Sequence, residues 1–217
     1  MSGQSREAAS AKPAKGAKSR ATQQQIIEAF ERVLLREGAA GVGVNAIVAE
    51  AGVGKGLIYH HFGGLEGLAQ AWLERADLNP TKEEIAGAPE AEYGELSTAE
   101  KLSRIHVNYA SMLRDKPAAC QILAQDLTTE ANLPEVLESV RTHLGESHEA
   151  LLMENPEFHN DEAMARAFVL QAAANYLAMR ANTSPNYNGI QLDTEEGWGQ
   201  MMAMFDIIAQ AGSHKQE

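Results

Sequence analysis

The sequence predicts an all-α protein: a compact helix-turn-helix unit near the N-terminus, then a larger helical body. Three observations carry this. Val44, Ile47, Val48 and Ala51 recur at intervals of three and four, Gly52 follows, and Ile58 and Phe62 give a second short helix its own apolar face. Ser97-Thr98-Ala99-Glu100 is a capping-box signature, and behind it Leu102, Ile105, Tyr109 and Leu113 share one helical stripe. From Ala163 to Ala181, only Arg166, Gln171, Asn175 and Arg180 interrupt an otherwise apolar helix.

The elements follow in order. Residues 1–20 read as a disordered basic tail, with Arg6, Lys12, Lys15, Lys18 and Arg20 against Glu7. Such a tail either adds salt-dependent affinity for DNA or simply solubilises the chain. A first helix is expected over about 22–37, ending at Gly38. The helix-turn-helix follows, with Gly52 free to take the left-handed conformation that ends its first helix and Val53 plugging the junction. A helix over about 65–79 stops before Pro80, and the acidic stretch 80–96, with its Pro and Gly residues, reads as a loop. Further helical segments are expected over about 97–116, 117–131, 134–154, 161–182 and 195–211. The domain reading is a tail at 1–20, a DNA-binding unit at 21–68, and an effector-binding and dimerisation body at 69–217.

The second helix of a helix-turn-helix is a device for entering the major groove. Gly54 and Gly56 allow close approach to a phosphate backbone, Lys55 supplies a positive charge, and Tyr59 offers a hydroxyl to a phosphate. His60 can reach base edges and Leu57 can touch a thymine methyl. Asn45 and His61 complete the candidate DNA contacts. An ordinary surface hairpin of helices is the alternative on spacing alone.

The run from Ala51 to Phe62, followed by Glu66 and Leu68 and preceded by Ile26 to Gly38, closely resembles the TetR family of bacterial transcriptional regulators. The resemblance is specific over about residues 22–72 and beyond that extends only to length and helical pattern. It implies a DNA reader in the second and third helices and a variable ligand-binding and dimerisation domain after the fourth. Three positions depart from the family pattern. Gly43 stands where a Thr or Ser usually caps, Leu57 where a Thr is usual, and Leu65 where a Lys is usual. Side-chain phosphate contacts are therefore expected to be fewer than usual, with backbone N–H groups at Gly63 and Gly64 as substitutes.

The net charge of −12 divides unevenly. Residues 1–62 hold eight Lys or Arg against five Asp or Glu, and residues 63–217 hold ten against twenty-five. The positive end coincides with the proposed reader, and the acidic remainder discourages non-specific adhesion to DNA. No apolar run approaches the length of a membrane span, the N-terminus lacks the apolar stretch of a secretory signal, and one cysteine suits a reducing compartment, so a cytoplasmic protein is expected.

A helix apolar on all sides must be covered on all sides. The helix at 161–182 and the last helix are therefore expected to pair with their copies as a four-helix bundle, through Val169, Ala173, Tyr176, Arg180, Trp198, Met201, Met202, Phe205 and Ile208. A homodimer implies a near-palindromic double-stranded target. An unknown small-molecule effector is expected among Trp72, His106, Tyr109, Met112, Phe168, Gln171 and Asn175, with the helix of Trp72 as the lever. The alternative is a DNA-binding dimer controlled by a protein partner. An internal cavity of several hundred cubic ångströms would favour the sensor, and a packed interior the alternative. No metal or other cofactor is expected, because the seven His form no ligand-spaced cluster. Cys120 with His106 or His143 could form a nucleophile and base, but no catalytic motif supports an enzyme.

Overall fold

A computed structural model of the chain describes residues 15–76, 78, 80–127, 135, 137–138, 140 and 144–211. Helix α1 (Lys15–Glu37) begins earlier than expected. Residues 15–20, assigned to a disordered tail, form its first turns, and Thr22 back-bonds to the Lys18 carbonyl at 3.0 Å. Residues 1–14 lie outside the described residues. The apolar face of α1, built by Ile26, Phe30, Val33 and Leu34, is fully buried. It packs on α2 (Val44–Ala51) and α4 (Leu65–Leu73), with α3 (Lys55–Phe62) closing the unit. Gly52 ends α2 at φ 63°, returning its N–H to the Val48 carbonyl. That left-handed residue makes the turn between the two helices.

Helix α4 crosses the end of α3 at Gly67, where a Cβ would overlap the Phe62 carbonyl oxygen. Only a glycine lets the two backbones meet there. Farther along α4, Trp72 places its ring 5.2 Å from that of Phe30 of α1. α4 ends at Leu73 rather than near 79. The stretch expected to be a loop contains two short helices, α5 (Lys82–Ala86) and α6 (Glu90–Gly94). Thr81 and Glu84 form a reciprocal capping box that starts α5, a signal as explicit as the one at Ser97.

The body is built around α7 (Thr98–Arg114), started by the Ser97–Glu100 box. α8 (Pro117–Leu123) continues as a 3-10 turn, Ala124–Leu127, and touches α1. Residues 135, 137, 138 and 140 are helical, and α9 (Glu146–Glu154) completes part of the segment expected over 134–154. α10 (Asp161–Thr183) and α11 (Glu195–Gln210) both lie against α7. Between them Asn186–Tyr187 and Ile190–Gln191 pair as a small antiparallel hairpin, which the sequence reading omitted. Its turn is Asn188-Gly189, both at positive φ, the dipeptide best suited to such a turn.

The last helix corrects three expectations about the subunit interface. Trp198, Met202 and Phe205 are buried inside the protomer, 2–7% exposed. Trp198 donates to the Ser111 hydroxyl at 3.0 Å and lies under the Arg114 guanidinium, so this face of α11 is spent on α7. Arg180 is also engaged within the protomer, donating to the Asn186 carbonyl at 2.9 Å. Val169, Tyr176 and Ile208 do face outward, at 63, 42 and 39% exposure, and Ala173 and Met201 are half-buried.

Gly67→Ala is expected to cost about 2–3 kcal/mol, as overpacking against a rigid backbone does. A urea midpoint unchanged from wild type would show that the α3–α4 crossing tolerates a side chain.

Candidate nucleic-acid interface and buried polar core

The outer face of α3 is open. Lys55, Gly56, Leu57, Tyr59 and His60 are exposed, His61 is half-buried, and Ile58 is fully buried beneath them. Gly54 caps the helix and is itself exposed, as is Asn45 on α2. Seven of the eight predicted reader residues thus lie on α3 and its cap, and Asn45 lies on α2. Among the described residues, Lys55 has no carboxylate partner. By contrast, Arg32 and Arg36 of α1 both bind Glu50 of α2 at 2.6 Å. These two guanidiniums hold the Glu50 carboxyl below the usual carboxylate range. Gln25 reinforces the same join, donating to the Ala51 carbonyl at 2.7 Å. The departure at Gly43 is visible: it caps α2 in extended conformation with no side-chain bond.

The predicted effector residues separate into groups. Tyr109 of α7 meets Asn175 of α10, its hydroxyl donating to Asn175 Oδ1 at 3.0 Å, while His106 faces the Ala167 carbonyl of the same helix. Met112 lines a void of about 10 Å³ beside Tyr109, together with Leu113, Lys116 and Leu144. Gln171 is half-buried, its amide nitrogen 3.4 Å from where a Cβ on Gly145 would stand. Two residues do not belong to this group. Trp72 is committed to Phe30, and Phe168 is 53% exposed on the outer face of α10. Phe168 follows directly after the buried Ala167, a step of about 100° around the helix, which points it away from α7. A larger groove of about 440 Å³ lies elsewhere, lined by Lys82, Glu83, Glu90, Tyr93 and Glu154, and none of the predicted effector residues borders it.

The residue that the sequence reading missed is His148 of α9. Its ring is fully buried, 4.7 Å from the His106 ring and 4.8 Å from the Tyr109 ring. A signal existed: His148 falls four after Leu144 and three before Leu151, on the buried stripe. His106 lies with Nδ1 2.6 Å from the Leu102 carbonyl and Nε2 2.9 Å from the Ala167 carbonyl. Among the described residues, neither nitrogen of His148 has a hydrogen-bond partner. Such a group typically costs about 1–3 kcal/mol to leave unmade. Burial pushes His106 down to about 4 and His148 down to about 3, the nearby His106 adding to the latter shift. Burial also pushes the Cys120 thiol up to about 12, and its sulfur faces the Leu113 carbonyl at 3.3 Å, which suits a packing residue rather than a nucleophile. Glu66 of α4 accepts from the Glu135 backbone N–H at 2.9 Å, a direct bond between the reader unit and the segment leading to α9.

A family model described as bacterial regulatory proteins, tetR family, matches residues 26–72. Over this segment the chain is similar to the TetR family. It is 41% identical over 71 residues to the HTH-type transcriptional regulator TtgR of Pseudomonas putida, a match covering 33% of each protein. The same figures relate it to the probable HTH-type transcriptional regulator ArpR of Pseudomonas putida. The match thus spans about a third of the length of these curated relatives. A solved TetR-like transcriptional regulator from Rhodococcus sp. RHA1 is 20% identical at TM-score 0.55, covering 90% of this chain and 97% of that one. The fatty acid degradation regulator FadR of Bacillus halodurans is 16% identical at TM-score 0.52, covering 87% and 98%. At these identities the likeness is one of fold, and it carries the TetR-like architecture through the helical body. No helix among the described residues is long and apolar enough to cross a membrane.

The two histidines give stability a pH dependence of defined sign. Their folded-state values lie below the roughly 6.5 of an unfolded histidine, so the unfolded chain takes up protons first. Their contribution is complete above about pH 6.5 and is lost as pH falls from there through about 4 for His106 and about 3 for His148. Thermal melts at stepped pH should show a shallower acid slope for His148→Phe than for wild type. Parallel slopes would mean that His148 is not held neutral in the fold.

Proposed function

We propose that this protein is a ligand-responsive transcriptional regulator, a repressor that binds a near-palindromic operator as a homodimer and is released by a small molecule. The observation that carries the DNA-binding part is α3 itself. Its apolar side is buried, and its other side offers an unpaired Lys55, an exposed Tyr59 and His60, and two glycines that let the helix approach a backbone closely. Lys55, Tyr59 and the N–H groups near Gly54 would position the helix on phosphates, while His60, His61 and Leu57 face base edges.

Dimerisation is supported by an apolar surface on the last two long helices. Phe168, Val169 and Tyr176 of α10 and Met204, Ile207 and Ile208 of α11 are all 39–63% exposed. Exposed apolar side chains on two neighbouring helices fit such an interface. Pairing these helices with their copies gives a four-helix bundle and sets two α3 helices the roughly 34–36 Å apart that successive major grooves require. Effector control is supported by the unpaired His148 and by the Glu66–Glu135 bond, which couples that segment to α4. One observation favours the second reading, a dimer controlled by a protein partner: the void beside Tyr109 holds only about 10 Å³. An effector would have to open the body to enter.

Operator sequences selected from random DNA should be near-palindromes. Lys55→Ala should weaken binding to them by about 1–3 kcal/mol in gel-shift titrations and reduce the salt slope by about 1. Unchanged affinity and slope would remove Lys55 from the interface.

Val169→Glu should convert the dimer to monomers in sedimentation experiments. Phe205→Ala should instead cost about 3–5 kcal/mol of stability, because it empties a buried site. A Val169→Glu protein that remains dimeric would place the interface elsewhere.

A further inference from the structure

Helix α1 extends beyond the unit that it helps to build. Its first turns, from Lys15 to Thr22, precede the buried apolar face that begins at Ile26. From Lys15 to Ile27 the sequence holds the cations Lys15, Lys18 and Arg20 and no carboxylate. Lys18 and Arg20 are exposed. Among the described residues neither is held in an ion pair, whereas Arg32 and Arg36 of the same helix are both engaged with Glu50. Gln23 sets the position of this basic stretch. Its amide nitrogen lies 3.5 Å from Nδ1 of His61, near the end of α3. An amide nitrogen donates and cannot accept, so Nδ1 is the acceptor. Arg20 stands three residues before Gln23, on a neighbouring face and about 4.5 Å along the helix axis. Lys18 stands about 7.5 Å along it. Both spacings fall within the Debye length of roughly 8 Å at physiological salt, so the cations act on whatever lies beside the end of α3.

We propose that this basic stretch of α1 is a second DNA-docking surface, in which Arg20 and Lys18 meet the phosphate backbone beside the groove that α3 enters. This rests on the DNA-binding reading above and adds to it a contact that is independent of sequence. Width and charge both select the phosphates. A major groove is about 12 Å wide, and an α-helix with its side chains is about 10–12 Å across, so one helix fills it. A helix packed on the flank of α3 therefore stands over the wall of the groove, which is a phosphate strand. Duplex DNA carries one negative charge per about 1.7 Å of its axis. Unpaired cations on a stretch without carboxylates complement that wall, whereas the remainder of the chain, with ten Lys or Arg against twenty-five Asp or Glu over residues 63–217, opposes it. Because Arg20 and Lys18 project from a helix that is packed into the reader unit, their placement is tied to that of α3. Contacts of this kind fix register and orientation on the duplex and carry no sequence information.

The test uses the full chain with selected operator and random duplexes over a series of salt concentrations. The double variant Lys18→Gln, Arg20→Gln should lower the slope of log affinity against log salt by about 2 per protomer. It should weaken operator and random DNA by the same factor, leaving their ratio unchanged. Gln is a good helix former, so the exposed turns keep their structure. An iron chelate tethered through Ala17→Cys, at an exposed position, should cut the DNA backbone flanking each half-site, and the buried Cys120 leaves the tether on the introduced thiol. An unchanged salt slope, a fall in the operator-to-random ratio, or no cutting from position 17 overturns the proposal. Lost binding to phosphatidylserine vesicles with intact operator affinity overturns it in favour of a lipid surface. If Lys55→Ala weakens operator binding and the double variant does not, the DNA reading stands without this second surface. If the wild-type protein selects no DNA, both are overturned, so the two failures are distinguishable.

Discussion

The backbone of α4 runs against the last carbonyl of α3 at Gly67, closer than any side chain would permit. Much of the rest depends on that contact. It fixes the angle at which α3 presents Lys55, Tyr59 and His60. It also makes α4 answerable to both halves of the molecule. Gly67 holds α3, Trp72 locks onto Phe30 of α1, and Glu66 takes a hydrogen bond from Glu135. α4 is thus packed against α3 at one point and hydrogen-bonded to Glu135 at another. The helix that the sequence reading expected to act as a lever is in contact with both parts of the fold. Trp72, however, works as an anchor to α1 rather than as a ligand contact.

Electrostatics separates the reader from the remainder in a similar way. Glu50 would spoil the positive face if it stood alone, but Arg32 and Arg36 enclose it. The arginines in turn are not free to roam, so they rigidify the join between α1 and α2 more than they attract DNA. Exposed pairs of this kind contribute little stability singly, and their value here is geometric. Lys55 is left as the cation on the open face of α3, which is why a single substitution there is informative.

Legibility differed from element to element for identifiable reasons. The helix-turn-helix was readable because backbone demands fall on glycines, and Gly52 and the four-residue spacing of Ile58 and Phe62 leave little choice. Which face of the last helix turns inward was only half readable. α11 is apolar on two faces, and composition cannot say which faces inward. The structure gives Trp198, Met202 and Phe205 to α7 and turns Met204, Ile207 and Ile208 outward. On α10 the same ambiguity misplaced Phe168, which shares the apolar run with Ala167 and points the other way. The spacing of His148 from Leu144 and Leu151 marks it as buried but not as a polar contact; its meaning comes from meeting His106 and Tyr109 across two helices. Thr81–Glu84 and Asn188-Gly189 were signals present in the sequence and passed over.

A packed interior and a sensing role are compatible if the effector's binding energy is coupled to a few specific bonds. Satisfying the His148 nitrogens recovers a cost of about 1–3 kcal/mol, and the Glu66–Glu135 hydrogen bond is worth about 1–2 kcal/mol. A coupling of about 1–3 kcal/mol changes affinity about 5–150-fold. No large cavity need pre-exist for that. What is required is that the closed body, with His148 unmet and Glu135 bonded to α4, and an opened body, with His148 satisfied, lie within a few kcal/mol of each other. An unpaired buried imidazole raises the energy of the closed body and so narrows that gap.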